Sequence, residues 1–155
     1  MKLKLSALGL VLFLIALPAA AARKDKPTGD EIAAKAKAGK LQNENTTVGE
    51  NCKLTPADLT HLRSMTDLED GQFIGVLETD IASDKTGLAA GKYDLFLAKV
   101  GNAWHVYAES GGKIAGEAYS VLERKDTPKN MRPKFSKGSF CWWVWLIFTG
   151  FQVCI

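Results

Sequence analysis

Histidine, cysteine and methionine are scarce in this 155-residue chain, at two, three and three. The two histidines, His61 and His105, do not stand at a zinc-like spacing from any cysteine, so no metal site is expected. A nucleophile elbow, a Walker loop, a paired-histidine zinc helix and a dinucleotide glycine fingerprint are all missing. Asp80 and Asp84 lack the alternating oxygen donors and central glycine of a calcium loop and read as turn and capping residues. No cofactor is expected. No apolar run reaches the roughly 20 residues of a membrane-spanning helix: residues 8–17 are too few, and residues 140–155 fall short and contain Gly150 and Gln152. A broad basic surface is lacking too. The net charge of +3 is largely one cluster, Arg124, Lys125, Lys129, Arg132, Lys134 and Lys137, which makes nucleic acid a poor partner.

What is present begins with a leader. Lys2 and Lys4 precede the apolar residues 8–17, then Pro18 and alanines through Ala22, which is the pattern of a secretory signal peptide over residues 1–22, with cleavage expected after Ala20 or Ala22. The expected location is secreted or periplasmic. There the three cysteines, Cys52, Cys141 and Cys154, predict a disulfide and one thiol left over. Spacing alone does not fix the pairing; the expectation favoured is Cys52 with one of the tail cysteines.

Residues 23–51 are rich in charge, Ala, Gly and Asn and nearly devoid of large apolar side chains. They read as a flexible tether carrying one exposed helix over residues 30–41, N-capped by Asp30. Asn45-Thr46-Thr47 is a glycosylation sequon in a eukaryotic host. In "LTPADLTHLRSM", Thr55 as N-cap, Pro56 at the first helical position and the spacing of Leu59, Leu62 and Met65 predict a short amphipathic helix with His61 facing solvent.

From Phe73 the period changes to two, and residues 52–155 read as a β-rich domain. "QFIGVLETD", "YDLFLAKV" and "AWHVYAES" are strands, the last two joined by Gly101-Asn102 as a type II′ hairpin. Pairing Val100 with Ala103 puts Tyr93, Leu95, Leu97, Lys99, Trp104, Val106 and Ala108 on a core face. Asp94, Phe96, Ala98, His105, Tyr107 and Glu109 fall on the other. Phe96, His105, Tyr107 and Glu109 on that mixed face are the candidate ligand-binding residues. A third strand, "KIAGEAYSVLER", follows a turn at Gly111-Gly112; a three-residue loop would send Ile114, Ala118 and Leu122 to the core. "KDTPKNMRPK" reads as a loop.

The uncharged end, "SFCWWVWLIFTGFQVCI", has three readings: a membrane helix, an exposed surface for a partner or lipid, or buried strands. Its Trp, Val, Ile and Phe content favours strands, with a turn at Thr149-Gly150 that would oppose Cys154 to Trp145. The fold expected is mainly β, a small antiparallel β-sandwich or curved sheet of about five or six strands with one or two short N-terminal helices.

The stretch "GLAAGKYDLFLAKV", through Leu88, Gly91, Tyr93, Leu95 and Leu97, resembles the opening of a strand in carboxypeptidase-regulatory and prealbumin-like β-sandwich domains. The resemblance covers about a tenth of the chain. It implies a small antiparallel sandwich with binding or accessory roles and transfers no functional residue. The function expected is that of an exported, non-enzymatic binding or accessory protein for a protein, glycan or lipid of the envelope. The alternatives are a small hydrolase-like enzyme using His105 and Glu109 as acid and base, or membrane association through the aromatic tail.

Overall fold

The computed structural model describes residues 22–124, 134–136, 139–145 and 149–155; the leader and the 125–133 stretch lie outside them. The fold is mainly β. Helix α1 (Gly29–Ala38) comes first, followed by a 3-10 turn (Asn43–Asn45), β1 (Thr47–Val48), β2 (Cys52–Pro56) and helix α2 (Met65–Glu69). Then come β3 (Gln72–Thr79), β4 (Gly91–Val100), β5 (Ala103–Ser110), β6 (Lys113–Glu117), β7 (Ser120–Arg124), β8 (Lys134–Ser136), β9 (Ser139–Trp145) and β10 (Gly150–Cys154). Strands β1 to β6 form one antiparallel meander in chain order; the second sheet is ordered β7-β10-β9-β8. The strands described exceed the five or six expected because the tail builds a sheet of its own.

The β4–β5 hairpin has the register expected, from Val100 opposite Ala103 to Asp94 opposite Glu109. Gly101 alone in the turn has positive φ, as a type II′ turn requires. Leu95, Leu97, Val106 and Ala108 therefore face one core, joined by Leu54, Ile74, Leu77, Leu68 of α2, and Phe151, Val153 and Ile155 from the end of the chain. Two sheets thus cover one apolar layer. Glu123 on β7 ties them together, accepting from Trp104 Nε1 at 3.1 Å and from the Thr149 hydroxyl at 3.2 Å, while Trp104 meets Phe151 edge-on at 4.7 Å.

Several expectations are corrected. Residues 23–51 are not a free tether: Ile32 is fully buried against Phe96, Ala98 and Tyr107, and Arg23 bridges to Val100. Helix α1 is capped by Thr28, not Asp30, because Thr28 is extended and its hydroxyl accepts from Glu31 N at 3.2 Å; the helix stops at Ala38. Thr55 and Pro56 end a strand paired with Val76 and Gly75 instead of starting a helix. The helix begins later, at a capping box in which Ser64 and Asp67 bind each other's backbone. His61 is exposed, as expected.

The β5–β6 loop has two residues, not three: Ser110 pairs with Lys113, and Gly111 and Gly112 both take positive φ. Ile114 is consequently exposed; Ala118 packs against the main core as expected, and the single strand expected there divides at Ala118-Tyr119 between the two sheets, with Leu122 exposed on β7. In the tail, Gly150 pairs with Trp145, and the register brings Cys154 opposite Cys141, where they form a disulfide with a Cα–Cα distance of 4.1 Å. Cys52 is a buried free thiol, which overturns the expected Cys52 bridge; burial pushes its pKa up to about 11. The expectation about the tail tryptophans concerns side chains at 142–145, outside the described ones. Among the described residues no helix is long and apolar enough to cross a membrane.

Candidate functional site

The face carrying Phe96, His105, Tyr107 and Glu109 is not an open groove. Phe96 and Tyr107 are fully buried beneath α1, and Glu109 is 3% exposed. Glu109 Oε1 accepts from Gly112 N at 2.6 Å and so fixes the β5–β6 turn. It does not pair with His105, since residues four apart on one strand are about 13 Å apart. His105 Nδ1 instead meets the Glu117 carboxylate on β6, and its ring stacks on Tyr107 at 5.7 Å. Lys26 closes this group, 3.5 Å from Glu117 and 5.8 Å above the Tyr107 ring. Burial, then Glu117, raises the Tyr107 phenol to about 12, and its hydroxyl has no hydrogen-bond partner among the described residues. Asp94, opposite Glu109, is held above the usual carboxylate range by burial and then by the Glu109 charge. Phe96 and Tyr107 thus form a packed layer under α1 and Glu109 braces a turn, while His105 stays half-buried beside Glu117.

A concave surface lies at the other end of that helix. Its floor is set by an irregularity in β3: the pairing with β4 shifts between Phe73 and Gly75. Ile74 and Leu77 join the main core, while Phe73 and Val76 cluster on the opposite side with Ala57. Three positions apart, Phe73 and Val76 would lie on opposite faces under strict alternation; the extra residue of the bulge puts them on the same one. Gly75 has φ +149°, and a Cβ there would lie 2.5 Å from the Thr55 carbonyl oxygen. Glycine is the residue that permits the bulge and the close approach of β2.

The walls come from two segments running side by side. Gln42 N donates to Pro56 O at 2.9 Å and Asp58 N to Lys40 O at 2.8 Å, which sets Lys40 and Asp58 next to each other. The result is a cleft of about 390 Å³, open to solvent, lined by Lys35, Ala38, Gly39, Lys40, Ala57, Asp58, His61, Gln72 and Phe73.

Most polar groups around it are already engaged. Lys35 Nζ donates to Gly71 O at 3.0 Å and lies 3.6 Å from Asp70; Gln72 Nε2 donates to Asp67 O at 2.7 Å. Asp58 accepts from the Thr60 hydroxyl at 2.6 Å and Thr60 N at 3.0 Å, bonds that hold its carboxyl below the usual range. By contrast, the side chains of Lys40 and His61 make no hydrogen bond or ion pair among the described residues. The cleft thus offers a buried aromatic floor rimmed by Lys40, His61 and the Asp58 carboxylate, whose charge the two basic side chains favour. No three side chains able to hold a metal ion cluster among the described residues.

Sequence reasoning missed this cleft. The available signal was Gly75 inside an otherwise apolar strand, a mark of a bulge or close backbone approach. Compared with models of protein families, with curated proteins and with solved structures, the chain matches none.

Proposed function

We propose that this chain is an exported, non-enzymatic binding protein of the periplasm or extracellular space, and that its ligand occupies the cleft between the end of α1, residues 57–61 and the start of β3. The observation that carries the reading is the coincidence of a concavity, an aromatic floor at Phe73 and a polar rim of Lys40, His61 and Asp58. A concave, largely apolar surface with few convergent polar groups is the usual form of a small-ligand site.

Export is supported by the leader pattern at residues 1–22 and by the Cys141–Cys154 disulfide, a bond that persists in oxidising compartments. The strand-opening pattern shared with prealbumin-like sandwich domains supports the same accessory role. The hydrolase alternative loses its premise, because His105 and Glu109 are not a pair.

Two measurements test the proposal. Expression with the leader intact, followed by intact-mass analysis of the exported fraction, should give a chain shortened by the leader; a full-length chain kept in the cytoplasm would refute export. A fragment screen read by amide chemical shifts should move residues 35–40, 57–61 and 72–73. Hits that cluster elsewhere would refute the cleft.

A further inference from the structure

We infer that residues 23–38 form a strap that lifts from the sheet as a unit while both sheets stay folded, baring the face of Phe96, Ala98 and Tyr107. The inference does not depend on the cleft being a binding site. Lys35, Ala38 and Gly39 wall that cleft, however, so lifting also dismantles it.

The strap's hold on the rest of the molecule is narrow. Ile32 is its one large apolar side chain, fully buried on Phe96, Ala98 and Tyr107; Pro27 and Gly29 are also buried, and Ala36 packs on the Phe73 cluster. The remaining attachments are polar. Arg23 N donates to Lys99 O at 3.1 Å, Arg23 O accepts from Gly101 N at 2.8 Å, Arg23 Nη1 donates to Asp70 O at 2.7 Å and Lys35 Nζ to Gly71 O at 3.0 Å. The Lys26–Glu117 and Lys35–Asp70 pairs, at 3.5 and 3.6 Å, join partly or fully exposed side chains and are weakened by solvent. The Arg23–Glu31 pair lies within the strap and travels with it.

Both sheets are complete without the strap. Strands β1 to β6 pair in chain order, and none of its residues belongs to the main core between the sheets. Beyond the helix the chain is held from Lys40 onward, where Lys40 O accepts from Asp58 N and Gln42 N donates to Pro56 O, so Gly39 is the hinge. One contribution favours lifting: the Tyr107 hydroxyl is buried with no hydrogen-bond partner among the described residues, and lifting opens it to water. A ten-residue helix is marginal by itself, so α1 unwinds as it lifts and its amides report each opening.

Native-state hydrogen exchange of the mature protein, followed residue by residue in sub-denaturing urea, tests this. Amides of residues 32–38 should open at least about a hundredfold more often than the slowest amides of β4 and β5, and with a weaker urea dependence, because lifting bares little surface. Tyr107→Phe, which deletes the orphan hydroxyl, should slow α1 exchange by about tenfold.

Exchange of α1 at the rate and urea dependence of β4 and β5 would overturn the strap, since the helix would then leave only in global unfolding. Exchange at the rate of an unstructured peptide would overturn the docked state from which it lifts. Unchanged α1 exchange in Tyr107→Phe would overturn the part given to the hydroxyl. None of these readouts involves a ligand, so the cleft proposal stands or falls separately.

Discussion

Reducing the Cys141–Cys154 bond should destabilise the protein by an amount its geometry makes calculable. The cysteines are 13 residues apart and directly opposed across β9 and β10. Closing a loop of that size removes chain entropy from the unfolded state worth about 3 kcal/mol at 25 °C. Reduction leaves both side chains in place, so Cys154, 7% exposed, opens no cavity and the loop term dominates. For a domain of about 130 residues, 3 kcal/mol corresponds to a fall in Tm of about 10 °C. Differential scanning calorimetry with and without a phosphine reductant measures it, and a Cys52→Ser variant should show the same difference because Cys52 is already a thiol. Hydrogen exchange adds a spatial check. Strand β10 is also paired to β7 and buries Phe151 and Val153, so amides of β9 should lose protection before those of β10. A Tm change under about 2 °C would refute the loop-entropy argument. Three free thiols counted in the non-reduced protein would refute the bond itself.

Three further outcomes follow from individual side chains. Ile32→Ala should cost about 3 kcal/mol in urea denaturation, because Ile32 is completely buried on Phe96 and Tyr107; a cost below about 0.5 kcal/mol would restore the tether. Gly75→Ala should cost about 1–3 kcal/mol, from a Cβ 2.5 Å from the Thr55 carbonyl oxygen and an unfavourable φ, and should also disturb the Phe73 floor. Asp94 has a raised folded-state pKa, so the native protein holds its proton to higher pH than the unfolded chain does. Its ionisation therefore disfavours the fold as pH rises from about 4 through the raised value. Asp94→Asn should then raise Tm at pH 7 and match the wild type near pH 3; a lower Tm at pH 7 would mean the carboxylate makes a stabilising contact instead.

Legibility in the sequence tracked how local the deciding interaction is. The β4–β5 hairpin was readable because Gly101-Asn102 fixes a two-residue turn, and period-two alternation then sorts every side chain onto a face. The tail was readable as strand from its residue types, but its register was not, because that depends on where the chain reverses between Trp145 and Gly150. Nothing in "RKDKPTGDEIAAKAKAGK" announces a docked helix. One isoleucine among lysines and alanines buries little by itself, and the driving force comes from the partner surface, where Phe96 and Tyr107 would otherwise remain open to water. The same oversight made the face carrying Phe96 and Tyr107 look open. An aromatic and polar strand face read in isolation looks like a groove, and only a distant element shows that it is covered.

The two faces of that error share one cause. Helix α1 is long enough to bury Ile32 over Phe96 and Tyr107 at one end, and it stops at Ala38 where Gly39 N turns back onto Lys35 O and Ala36 O. Had it continued through Lys40 and Leu41, the segment that bonds to Pro56 and Asp58 would have been helical, and the backbone hydrogen bonds that place Lys40 beside Asp58 would not exist. The Gly75 bulge completes the arrangement by keeping Phe73 on the helix side of the sheet, where Ala36 and Gly39 at the end of α1 pack against it. Burial of Phe96 and Tyr107 beneath one part of the helix and of Phe73 beneath its end thus follow from where α1 begins and stops.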